Sequence, residues 1–158
     1  MQQTIYIIGA ILILALISFH QQRSIIRTQL DMIEDEIDFI ATGVISEQFD
    51  LIATRSFDAE ADVSSASELT PANDFGAGTS TWDEAADIDD YHDKTDTVTV
   101  NTESGAIEFT VEATVEYVSG TTFESSNTQT YYKQVTLNFS DDEGTVATIS
   151  RIFSYKPL

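Results

Sequence analysis

The chain has no cysteine, two histidines, two prolines and seven basic residues set against 27 acidic ones in 158 positions. Without thiols there are no disulfides, no thiolate metal sites and no cysteine nucleophile. Two histidines are too few for an all-histidine metal centre. A formal net charge of −20 repels phosphates, which argues against nucleic acid as a partner and against docking of the acidic body on anionic lipid. No G-x-S-x-G or S-x-x-K pattern occurs, and the length leaves room for one compact domain. A polymerase, a kinase and a large metalloenzyme are excluded on these grounds.

Charge is also missing locally. Residues 4–19 (TIYIIGAILILALISF) carry none, and Arg23 and Arg27 are the only charged residues before Asp31. Sixteen such residues rise about 24 Å as a helix, and the uncharged flanks extend the run enough to cross a bilayer of roughly 30 Å. A cleaved signal peptide is not expected, because no basic segment precedes the run and Ser18-Phe19-His20 is a poor cleavage site. The helical pattern then continues. Ile26, Leu30, Ile33, Ile37, Ile40, Val44 and Gln48 recur at steps of three and four, with Asp31, Glu34, Asp35 and Asp38 mainly opposite. No proline occurs before Pro71, and Gly43 is the only glycine between Gly9 and Gly76. The pattern predicts one helix over residues 1–55, about 80 Å long. Residues 1–24 are apolar all round, and residues 25–55 are apolar on one side.

Residues 56–94 lose this period and read as an acidic connecting loop, held down by Trp82 and Tyr91. Asp87, Asp89, Asp90 and Asp93, with Asp96 nearby, raise the possibility of a calcium site. Their spacing is not that of an EF-hand, and a solvated acidic loop is the expectation, with His92 as a surface residue. From residue 95 to 158 the period is two. Ile107, Phe109, Val111, Ala113, Val115 and Tyr117 alternate with Glu and Thr, and Val98 and Val100 alternate with Thr just before them. Tyr131, Val135, Leu137 and Phe139 line a third strand, with Lys133 on the same side. Ala147, Ile149, Phe153 and Tyr155 line a fourth, interrupted by Arg151. Glu103-Ser104-Gly105 and Ser140–Gly144 supply the turns.

Four antiparallel strands with one apolar face need a cover, and the helix stripe is the large apolar surface available. The expected fold is therefore α+β: a long N-terminal helix whose distal half packs on a four-stranded antiparallel sheet. The core is expected from Ile33, Ile37, Ile40 and Val44 of the helix against Ile107, Phe109, Val111, Val115, Val135, Leu137 and Ile149.

This outline resembles the type IV pilin family over most of the chain. The apolar start through Phe19, followed by a proline-free helix, is similar to the pilin spine. ATGVISEQFDLIATRSFDA resembles the end of that helix in minor pilins, with Phe57, Asp58 and Ala59 matching an FDA-like run. DIDDYHDKTDTVTV resembles their aspartate–tyrosine loop, and YYKQVTLNFSDDEGTVATISRIFSY their final hairpin. Ile5 stands where typical bacterial pilins carry a glutamate, if Met1 is the first mature residue. Some tip pseudopilins and archaeal pilins also lack that glutamate. Gln22 replaces the usual kinking proline, and no C-terminal disulfide loop exists. A basic leader with its glycine is not visible, so the chain reads as processed or as never having carried one.

The resemblance implies a structural subunit of a pilus or pilus-like extracellular filament, waiting in the inner membrane and then joining copies of itself or related subunits. Ile5, Ile7, Ile8, Ile11, Leu12, Leu14 and Leu16 would pack on neighbours, with Gly9, Ala10 and Ala15 permitting close approach. The alternative is a single-pass anchored binding module, with a minor or tip pilin between the two. No cofactor, catalytic residue or enzymatic activity is expected.

Overall fold

The computed structural model describes residues 2–59, 63–77, 81–102, 105–142 and 144–155, and of residues 2–6, 8, 10 and 34 the backbone alone. It is α+β. One helix, α1 (Gln2–Ala53), runs for 52 residues, as the lack of proline and the content of Leu, Ala and Gln favour. The strands follow as β1 (Lys94–Thr102), β2 (Gly105–Val118), β3 (Ser125–Ser126), β4 (Tyr132–Asp141) and β5 (Gly144–Ser154). The chain divides into two compact units, Met1–Phe39 and Ile40–Leu158.

In the second unit the sheet is antiparallel, in the order β1-β2-β4-β5. The short β3 pairs with Tyr117 and Val118 at the end of β2, on the edge that β1 has left free. Strand alternation sets the faces. Phe109, Val111, Ala113, Val115 and Tyr117 of β2 are buried, and so are Lys133, Val135, Leu137 and Phe139 of β4. The opposite face is polar, with Thr136 hydrogen-bonded to Ser150 at 2.8 Å and Thr148 donating to Asn138 at 2.8 Å.

The helix contributes Ala41, Val44, Ile45, Gln48, Phe49 and Ile52 to this core, a stripe at i, i+3, i+4 spacing. It begins later than the sequence pattern suggests. Ile33 is 53% exposed and Ile37 and Ile40 are half-buried, because the second unit takes the helix only from Ile40 onward. Ile107 is half-buried at the hairpin end of β2. Ile149 is 37% exposed, because β5 is one of the two edge strands and its side chains have a strand neighbour on one side only. Glu103, Ser104 and Glu143 of the expected turns lie outside the described residues.

The connection after α1 is pinned along much of its length. Ser56 forms a parallel bridge with Asp87, and Ile88 N–H donates to Ser56 O at 3.0 Å. Trp82 Nε1 donates to Gln48 Oε1 at 3.1 Å, which satisfies the one amide in the helix stripe. Leu69, Phe75 and Tyr91 are buried, and Tyr91 meets Trp82 edge-on at 4.9 Å. Gly76 has φ +70, its N–H donates to Asp89 O at 2.9 Å, and a Cβ there would stand 2.4 Å from His92 O. Only glycine fits that crossing.

Burial depth orders the cost of truncation. Leu137→Ala is expected to lower the stability of the sheet unit by about 2–5 kcal/mol, with Ile149→Ala costing clearly less. Urea unfolding followed by tryptophan fluorescence checks the order, and equal losses would contradict the assignment of β5 as a half-covered edge.

Candidate functional site

Two features stand apart from ordinary core and surface. The first is the helix before Ile40. Its described large apolar side chains from Ile7 to Ile33 are 49–65% exposed, and Phe39 is 80% exposed. An apolar residue exposed singly is ordinary, but a run of them along one helix marks a surface built for something other than water. Ile7, Ile11, Leu12, Leu14, Ala15 and Leu16 of the expected assembly set are exposed, and Gly9 has open space where a Cβ would stand. The side chains of Ile5, Ile8 and Ala10 lie outside the described residues. Among the described residues, no helix is long and apolar enough to cross a membrane.

The second feature lies in the sheet unit. Lys133 is fully buried on β4. Its Nζ donates to Phe57 O at 2.7 Å, Asp58 Oδ2 at 3.0 Å and Asp89 Oδ1 at 2.7 Å. The aromatic rings of Phe57, Phe75 and Tyr117 stand 4.5, 5.3 and 5.6 Å from the same nitrogen. Three acceptors saturate the three donors of an ammonium, and the ring faces complete the cage. Asp58 is held in turn by Thr70, whose N–H donates to Oδ2 at 3.0 Å and whose hydroxyl donates to Oδ1 at 3.1 Å. Tyr117 OH donates to Thr70 O at 2.8 Å.

The electrostatics follow from burial and charge. Burial works to raise the Asp58 pKa, but the Thr70 N–H bond and the Lys133 charge outweigh it and hold this carboxyl below its usual range. Asp87 behaves oppositely. Burial, then the charge of Asp89 and a hydrogen bond shared with it, push Asp87 up to about 7. Burial, followed by the negative charges of Asp58, Asp89 and Asp87, raises the Tyr117 phenol.

These positions correct the expected solvated loop. Asp87 and Asp89 are buried, and Asp90 is turned back to accept from Ala86 N–H at 2.9 Å. The Asp93 carboxylate is 80% exposed and lies 3.6 Å from His92 Nε2. The four aspartates do not converge on a common cation. Among the described residues there is no group of three or more His, Asp or Glu side chains placed to hold a metal ion. The positive charge beside Asp89 is Lys133. His92 is also not a plain surface residue, since it is half-buried and its Nδ1 accepts from Val115 N–H at 3.0 Å.

The sequence reading places Lys133 on the apolar side of its strand without drawing the consequence. A lysine at an inward position must find anions, and the aspartate-rich stretch upstream is their natural source. Asp58 carries no such signal, because it lies far from the cluster in the chain. In comparisons with known proteins, no family model matches this chain, and no curated protein and no solved structure does either.

The raised Asp87 carboxyl sets a pH dependence of defined sign. The folded chain binds this proton up to about pH 7, whereas the unfolded chain releases it near its ordinary value of 3.8. The contribution to stability is therefore fully present below that ordinary value and is lost as pH rises toward about 7. Asp87→Asn keeps a donor toward Asp89 and an acceptor for Asp90 N–H, and it should flatten this decline. Urea midpoints measured across that window test it, and an unchanged slope in the variant would refute the assignment.

Proposed function

We propose that the chain is a structural subunit of a type IV pilus-like extracellular filament that polymerises through the first part of α1. The reading is supported by one observation above others: from Ile7 to Ile33 and at Phe39, the described large apolar side chains of α1 are exposed within the chain itself. Such a surface needs lipid or other copies of the same helix around it. Burying about 1,000 Å² of it among neighbours contributes on the order of 25 kcal/mol at 25 cal/mol/Å² before the entropic costs of association. Gly9 and Ala15 keep the helix narrow where neighbours approach closely.

In this reading the subunit is held in the inner membrane before assembly, and the acidic sheet unit lies on the outside of the filament. The charge of −20 keeps that exterior hydrated and free of polyanionic partners. Partners are copies of this chain or related subunits, and no catalytic role is assigned.

The test is electron microscopy of filaments sheared from cells, comparing the unaltered chain with Leu14→Asp. A carboxylate buried among apolar helices is expected to reduce filament yield by at least about tenfold, given several kcal/mol for burying an unpaired charge. The circular dichroism of the sheet unit should be unchanged. Recovery of the unaltered chain only as a detergent-solubilised monomer would favour the single-pass anchored module instead.

A further inference from the structure

We propose that Lys133 and Asp58 condense to an intramolecular amide, with Asp89 as the catalytic residue that carries a proton. The inference rests on the geometry of the sheet unit and is independent of the filament reading. Lys133 Nζ lies 3.0 Å from Asp58 Oδ2 and 2.7 Å from Asp89 Oδ1, and the Lys133 and Asp58 side chains are 0% exposed. An amine and a carboxyl held in hydrogen-bond contact, both side chains out of solvent, react at a high effective concentration.

The two carboxylates differ in what surrounds them, and that difference assigns their roles. Asp58 receives Thr70 N–H on Oδ2 and the Thr70 hydroxyl on Oδ1, at 3.0 and 3.1 Å. Those donors polarise the carboxyl and stabilise negative charge as it builds on oxygen during attack. Asp89 lies 2.7 Å from the nitrogen, within reach to take a proton from it.

The step balances within the site. A proton moves from the Lys133 ammonium to Asp58 Oδ2 along their 3.0 Å hydrogen bond, which removes the lysine charge that had held the carboxyl ionised and leaves a free amine beside a neutral carboxyl. The amine lone pair attacks Cγ of Asp58, the Cγ–Nζ bond forms, and one Cγ–O bond breaks. Asp89, 2.7 Å from the nitrogen, removes a second proton from it and returns that proton to the departing oxygen, which leaves as water. One ammonium and one carboxylate become one amide and one water, with no oxidant, reductant or cofactor. Two effects favour the product. An ion pair that is costly to keep out of water becomes a neutral group, and the dry cage of Phe57, Phe75 and Tyr117 keeps water from reversing the reaction. The amide remains satisfied, its N–H toward Asp89 and its oxygen on Thr70.

Mass spectrometry of the full chain decides the matter. The unaltered protein should be lighter than its sequence by one water, and Lys133→Arg should show its full sequence mass. Trypsin should fail to cut after Lys133, and the peptide spanning 56–94 should be joined to that spanning 95–151. Fragmentation should place the bond at Asp58. Asp58→Asn should still link, losing ammonia instead of water, and Asp89→Asn should remain unlinked while retaining its circular dichroism. Cleavage after Lys133 in the folded, unaltered protein, with no mass deficit, would overturn the proposal. A bond mapped to Asp89 would overturn the roles assigned here, and so would full linkage in Asp89→Asn.

Discussion

The sheet unit is organised around one cation kept away from water. Lys133 sits on an interior strand, and every group that satisfies it comes from the long connection between helix and sheet: Phe57 and Asp58 just past α1, and Asp89 just before β1. An uncompensated ammonium in that position would be strongly unfavourable. The need to neutralise it fixes both ends of the connection against the middle of the sheet. The aromatic contacts, the Thr70 bonds to Asp58 and the buried pair Asp87 and Asp89 all follow from it.

The helix meets two different environments along its length. From Ala41 to Ile52 its apolar residues fall into a stripe that is buried within the second unit, where Gln48 accepts from Trp82 of the connection. Before Ile40 the described large apolar side chains other than Ile37 are exposed. A helix that is apolar on all sides, as residues 1–24 are by sequence, belongs among other apolar surfaces, and this physical requirement is the basis of the proposal that assembly uses the first part of α1.

Much of the architecture was legible because it is written in periodicity. The alternation in Ile107–Tyr117 and in Val135–Phe139 fixes which residues of β2 and β4 face inward. Proline-free spacing fixes the long helix. The limits of the covered stripe were not legible. Ile33, Ile37 and Ile40 keep the same spacing as Val44, and spacing carries no information about where the covering surface stops. Nor does alternation tell an outer strand from an inner one, which is why Ile149 is less buried than its pattern implies. The lysine site was half legible. Position 133 points inward by count, but Asp58 is 75 residues away in the chain and only the folded connection brings it there. An aspartate-rich loop reads as solvated until an inward cation gives it a reason to be buried.

The position of Asp58 has a mechanical meaning. It lies five residues beyond the end of α1, and it grips β4, a strand flanked on both sides by hydrogen-bonded neighbours. A pull on Asp58 therefore reaches Lys133, which is paired with Tyr117 on one side and Phe153 on the other, so the load is shared between two ladders.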